Sequence, residues 1–149
     1  MEWSRLVPEL TVSNFAESIR FYTEKLGFEV MFSRSESTDF AYLEFEGSQL
    51  MLEEFHLDGW NVAGLEKPYD RGINLQIECS DADGLRDLLA DSAYPLYREI
   101  EDVWRVTGET VSGSREFLVQ DPDGYLLRFA QTLGEHEKSP EPARGGIDD

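Results

Sequence analysis

Catalysis needs nucleophiles, proton-transfer groups or metal ligands gathered in sets, and this chain offers few. It has two histidines, His56 and His136, and a single cysteine, Cys79. One cysteine permits neither an intrachain disulfide nor a cysteine-based zinc cluster. Cys79 alternates in phase with Leu75 and Ile77, which places it on the apolar side of a strand, where a thiol is inert. His56 follows a strand end and His136 lies in a polar C-terminal stretch, so they are read as surface residues without a role. No Ser-His-Asp set, no phosphate-cradling glycine loop and no paired carboxylates rise above background. Two other features do stand out. Aromatic and acidic side chains alternate at Phe40, Tyr42 and Glu44, and a lone Arg128 sits between Leu127 and Phe129.

Those residues need elements to position them. Arg115–Gln120 and Tyr125–Phe129 flank Asp121-Pro122-Asp123-Gly124, where proline presets one turn dihedral and glycine accepts a positive φ; the segment reads as a β-hairpin. The rest of the chain contains one pattern twice. The first copy predicts a strand over Val7–Val12 and a helix capped by Asn14 with Glu17 three residues on. Phe15, Ile19, Tyr22 and Leu26 share one face of that helix, and Gly27 stops it. Strands over Phe28–Ser33, Phe40–Phe45 and Gln49–Phe55 follow. The second copy predicts a strand over Ile73–Cys79 and a helix from about Asp81 with Leu85, Leu88 and Leu89 inward. Strands near Tyr97–Ile100 and Glu116–Gln120 lead, across a longer middle loop, to the final hairpin. The fold class is α+β: two βαβββ modules forming a curved mixed β-sheet cleft with flanking helices.

Strand alternation sorts the side chains by face. Leu10, Val12, Ala41, Leu43, Phe45, Leu50, Leu52, Leu75, Ile77, Cys79, Leu127 and Phe129 go toward the helices. The opposite face then mixes polar and aromatic groups: Glu9, Phe40, Tyr42, Glu44, Met51, Glu53, Asn74, Gln76, Glu78 and Arg128 among them.

Composition bounds the rest. A formal net charge of −18 argues against a nucleic-acid partner and favours cationic ligands. Hydrophobic content of 40% and aromatic content of 12% suit one folded domain. The N-terminus lacks a signal-like basic and apolar pattern and no apolar run reaches membrane-spanning length, so a cytoplasmic protein away from membranes is expected. Residues 1–133 are read as one domain (module one 6–55, linker 56–72, module two 73–131), with 134–149 a flexible acidic tail.

The paired modules, Phe21-Tyr22-x-x-x-Leu26-Gly27-Phe28 and the Asp-Pro-Asp-Gly hairpin resemble the vicinal oxygen chelate superfamily over about Leu6 to Gln131. That superfamily holds glyoxalase I, extradiol dioxygenases, and fosfomycin and bleomycin resistance proteins. Val7-Pro8-x-Leu10 and Arg115-Glu116-Phe117 look most like the bleomycin resistance branch. In metal-dependent members the ligand positions match Val7, Met51, Asn74 and Arg128 here. Valine cannot coordinate, a thioether suits soft ions, and a guanidinium repels a cation, so no metal and no cofactor are expected. The resemblance implies a homodimer that sequesters a bleomycin-like, aromatic and cationic small molecule in shared clefts. It implies that Phe40, Tyr42, Glu44, Met51, Asn74, Trp104 and Arg128 line the cleft. Aromatic faces suit flat rings, and carboxylates suit an attached cation. Drug-binding members often carry a Trp-Gly pair before Arg-Glu-Phe, whereas this chain has Gly113-Ser114, with Trp104 the available substitute. The rival readings are a glyoxalase- or dioxygenase-type enzyme with a divergent metal site, and a non-catalytic interaction module.

Overall fold

The computed structural model of the chain describes residues 1–139. It runs β1 (Glu9–Val12), α1 (Phe15–Arg20) continued by a π-helical turn (Phe21–Lys25), β2 (Glu29–Arg34), β3 (Phe40–Phe45) and β4 (Ser48–Glu54). The second half repeats the order: β5 (Asn74–Glu78), α2 (Ala82–Asp91), β6 (Arg98–Thr107), β7 (Thr110–Gln120) and β8 (Leu126–Glu137). Each βαβββ unit makes a four-stranded mixed sheet, ordered β1-β4-β3-β2 and β5-β8-β7-β6. In both, the first strand pairs parallel with the last, as in Glu9 with Met51 and Asn74 with Leu126, and the other pairs are antiparallel. The fold is the duplicated α+β arrangement that the sequence indicates.

Local chemistry explains the elements. The Asn14 side chain accepts a hydrogen bond from Glu17 N at 3.1 Å, capping α1, and Asp81 caps α2 through Gly84 N at 3.0 Å. The first helix does not stay α-helical to its end. Thr23 Oγ1 donates back to the Ile19 carbonyl at 2.7 Å, which loosens the ladder, and the widened turn lets both Phe21 and Tyr22 enter the core. In α2, Leu85 and Leu89 are buried but Leu88 is exposed, a correction to its expected inward placement: four residues separate the buried pair, and Leu88 falls on the flank.

The inward parity holds on both sheets. Val12, Ala41, Leu43 and Leu52 from the first, and Phe117, Val119, Leu127 and Phe129 from the second, are fully buried in one shared core. Phe45 and Phe129 meet across it with ring centroids 5.8 Å apart. The outer faces of the two sheets are therefore turned away from the core they share.

Two stretches differ from expectation. The middle loop of module two is strand: β6 and β7 pair from Arg98 with Leu118 to Thr107 with Thr110. The acidic tail also starts later, because Gly134–Glu137 continue β8 and pair with Thr110–Gly113. Backbone pairing needs no apolar side chains, so composition alone missed it. Residues 140–149 of the expected tail lie outside the described residues.

The two modules are fastened at the Asp121–Gly124 turn. Asp121 accepts from Asp123 N and Tyr125 N at 2.9 Å each, and from Tyr22 Oη of module one at 2.8 Å. Asp123 accepts from Ser13 N at 3.0 Å and from Ser13 Oγ, and Lys67 Nζ of the linker stands 3.4 Å away. Tyr125 Oη donates to the Thr11 carbonyl at 2.9 Å. Gly124, at φ +91°, lies so close to Pro68 that a Cβ there would stand 2.5 Å from the proline's.

Candidate functional site

The outer face of the first sheet carries a cavity of ≈ 390 Å³. β1 supplies Glu9, β2 Arg34, β3 Phe40 and β4 Glu53, and the segment after β4 closes it with His56, Asp58 and Trp60. Glu9 and Glu53 alternate outward on strands that run side by side. Their carboxyls share a hydrogen bond: burial, then the Glu53 carboxyl, raises the pKa of Glu9. Burial pushes Glu53 upward too, but hydrogen bonds from Glu9 and His56 outweigh it and hold its pKa below the ordinary value. Of the pair, Glu9 is thus the better proton holder and Glu53 the readier carboxylate. His56 Nε2 lies 2.7 Å from Glu53 Oε1. The Arg34 guanidinium covers one side of Phe40, 4.5 Å from the ring centroid, while Trp60 is 95% exposed. Arg34 thus supplies the cation over Phe40 itself, and the Glu9, Glu53 and Asp58 carboxyls with the exposed Trp60 ring are the groups left to meet an organic cation.

Beside this cavity the chain's own N-terminal segment lies on the sheet. Gln49 anchors it: Oε1 accepts from Ser4 N at 2.8 Å and Tyr42 Oη at 2.6 Å, and Nε2 donates to the Glu2 carbonyl and Glu44 Oε2 at 2.7 Å each. Trp3 packs edge-on against Tyr42, centroids 5.1 Å apart, and Phe32 stacks on Tyr42 at 5.3 Å.

The seven residues expected to line one cleft fall in several places. Phe40, Tyr42, Glu44 and Met51 share the outer face of the first sheet. Phe40 lines the acidic cavity, Tyr42 and Glu44 are tied to Gln49 beneath Trp3, and Met51 is half-buried between Glu9 and Tyr42. Asn74 lines a separate, more apolar cavity of ≈ 490 Å³ with Leu6, Pro8, Phe28 and Ile73. Arg128 stands on the outer face of the second sheet, level with Gln76 and Leu118. Trp104 lies on a strand rather than in a loop. It shares the sheet face of Asp102 and Arg115, which is bonded to Asp83 of α2, and is thus on the opposite face from Arg128. Its indole covers Gly113, where a Cβ would come within 2.5 Å of the ring, and meets His136 at 5.4 Å.

Sequence reasoning missed Glu9, Glu53 and His56 as a group, and it dismissed paired carboxylates. Alternation had put both glutamates on the outer face; the parallel β1–β4 pairing that joins them was the missing step. A divalent metal does not fit the positions where related enzymes hold one. Val7 precedes β1 and Met51 lies on β4, Asn74 and Arg128 lie on β5 and β8 of the second sheet, and the set offers one neutral amide oxygen and a cation. Among the described residues no group of three or more His, Cys, Asp or Glu side chains is arranged to hold a metal ion. Nor is any helix there long and apolar enough to cross a membrane.

The sequence profile of the Glyoxalase/Bleomycin resistance protein/Dioxygenase superfamily matches residues 6–129, and the chain belongs to that superfamily. Solved structures share the fold. A virulence protein from Salmonella typhimurium is 20% identical, with 89% of this chain and 100% of that one covered and a TM-score of 0.64. TioX from Micromonospora sp. ML1 is 19% identical, with 88% and 100% covered and a TM-score of 0.66. A glyoxalase/bleomycin resistance protein/dioxygenase from Alicyclobacillus acidocaldarius is 21% identical, with 87% and 91% covered and a TM-score of 0.60. No curated protein matches the chain. The superfamily contains both enzymes and non-catalytic resistance proteins, so membership alone does not assign an activity.

Proposed function

We propose that this protein is a metal-free, non-catalytic binder of the bleomycin resistance type, sequestering an aromatic, cationic small molecule. The observation that carries the reading is the acidic cavity on the first sheet, which Glu9, Glu53 and Asp58 line together with Arg34, Phe40 and Trp60. A cavity of ≈ 390 Å³ is near the lower end for ligand sites and takes one flat ring system with its cationic arm, not a whole glycopeptide antibiotic. The remainder of such a ligand would lie against a second copy of the chain. Exposed apolar side chains support that homodimer: Leu57, Trp60 and Val62 in the linker are 93%, 95% and 107% exposed, and Leu6 is 86% exposed.

Calorimetry with metal-free and copper-loaded bleomycin, at low and moderate salt, tests the assignment. Binding that weakens with salt and drops about tenfold or more in Glu53→Gln supports it. Absence of binding by both drug forms sinks it. Gel filtration reads the dimer, and a monomeric elution volume removes the shared site. A second reading has one observation in its favour: the Glu53–His56 hydrogen bond beside Glu9 is an arrangement that can move a proton. Turnover of a glyoxalase-type substrate that is lost in His56→Gln would select that enzyme reading instead.

A further inference from the structure

Phe40 lines the acidic cavity, yet its ring is almost closed off, at 7% exposure. Part of its cover is Arg34. The two residues are direct cross-strand partners at the facing ends of β2 and β3, so their side chains rise from one face. The guanidinium lies 4.5 Å from the ring centroid. On the other side of Phe40, in the same register row, β4 places Glu53. A cation, an aromatic face and a carboxylate thus stand side by side across three strands, and the cation is the chain's own.

An arginine at the end of an edge strand ordinarily pairs with a carboxylate or reaches into water. Arg34 makes no ion pair among the described residues, although Glu9, Glu36 and Glu53 line the same cavity. Its charge still reaches them: burial pushes the pKa of Glu9 and of Glu53 upward, and Arg34 works against that rise at both. What holds the guanidinium in place is therefore the Phe40 ring. A cation–π contact made by an exposed side chain is one of the weaker contacts in a protein, and long side chains regain rotamer freedom on leaving it. No backbone bond has to break for Arg34 to uncover the ring.

We infer that Arg34 is a tethered competitor: it occupies the place over Phe40 that the cationic group of a ligand takes, and so selects which cations bind. An ion that displaces a weakly hydrated guanidinium from an aromatic face must itself give up water readily. The ligand group is then a quaternary ammonium or a guanidinium, and small, strongly hydrated metal cations are left outside. The inference rests on the cation-binding reading of the acidic cavity and names the residue that limits it.

The test titrates tetramethylammonium chloride into the protein at constant ionic strength, with sodium chloride as the reference, and follows Arg34 and Phe40 by NMR. In the free protein the Arg34 δ-methylene and Nε–Hε signals should stand upfield, shifted by the Phe40 ring current. As the ion saturates they should move to the values of a free arginine, while sodium leaves them in place. Arg34→Ala should bind tetramethylammonium about three- to fivefold more tightly, read from the Phe40 ring protons. Arg34→Lys keeps the charge but holds the ring less well, and should show part of that gain. Two results overturn the inference and leave the cation reading standing. One is tetramethylammonium binding while the Arg34 signals keep their ring-current shift. The other is a gain in Arg34→Ala with none in Arg34→Lys, which would make net charge the whole effect. An ion that saturates neither the parent nor Arg34→Ala overturns the inference and the cation reading together.

Discussion

Asp121→Asn separates a titrating carboxylate from its hydrogen bonds and tests the account of the turn that joins the modules. Burial raises the Asp121 pKa from 3.8 to about 6, against the lowering effect of the hydrogen bonds from Tyr125 N, Tyr22 Oη and Asp123 N. The folded state therefore holds the proton more tightly than the unfolded chain does. The stabilisation that goes with protonation is complete below the unfolded pKa and is lost as pH rises through about 6. At 1.36 kcal/mol per pKa unit, the full effect is about 3 kcal/mol, of which about 1.3 kcal/mol falls between pH 7 and pH 5. For a chain of this size that is about 3–5 °C in melting temperature. Asparagine can keep the arrangement: its oxygen accepts from the two backbone N–H groups while its amide donates to Tyr22 Oη. It cannot titrate. Thermal or urea unfolding at pH 7 and pH 5 should show the parent gaining about 1.3 kcal/mol relative to Asp121→Asn at the lower pH. A parent–variant difference that stays the same at both pH values would refute the reasoning.

Gly124→Ala should cost about 2–4 kcal/mol in urea unfolding, because the left-handed backbone disfavours a Cβ and Pro68 occupies its space. Gly113→Ala should push the Trp104 indole off the sheet, read as a red-shifted tryptophan emission with a loss of about 1 kcal/mol; unchanged emission would mean the ring is not seated there. Gln49→Ala removes four hydrogen bonds at once and should release the N-terminal segment, with a stability loss of about 1–3 kcal/mol and faster proteolysis ahead of Arg5.

Much of the frame could be read from residue order. Asn14 and Asp81 announced both helices, and Phe40–Phe45 was bounded correctly because its alternation is uninterrupted. The positive φ values of Glu46 and Gly47 complete the two-residue turn that joins β3 to β4. The site was harder. Glu9 and Glu53 are distant in sequence and meet only through parallel register, which no local pattern encodes. Trp104 was misplaced because Glu101-Asp102 and Arg105 interrupt the apolar signal of β6 while leaving its backbone pairing intact. Trp3 offered no signal at all, since its position depends on a buried glutamine that looked like an ordinary outward strand residue.

The corresponding turns of the two copies have diverged in a way that bears on how the chain folds. Glu46-Gly47 reaches the second module only through Ser80 N, which donates to the exposed Glu46 carboxylate at 3.2 Å, whereas Asp121–Gly124 is bonded to Ser13 and Tyr22 of the first module through buried aspartates and packs on Pro68 of the linker. Either half severed from the other would expose the aromatic core they share and take from a buried aspartate pair, or from a buried tyrosine hydroxyl, the partners that the other module supplies. The duplication thus built a single cooperative unit. Fluorescence of the module-one tryptophan Trp3 and of the module-two tryptophan Trp104 should report one unfolding transition, and cutting the linker should release no folded half.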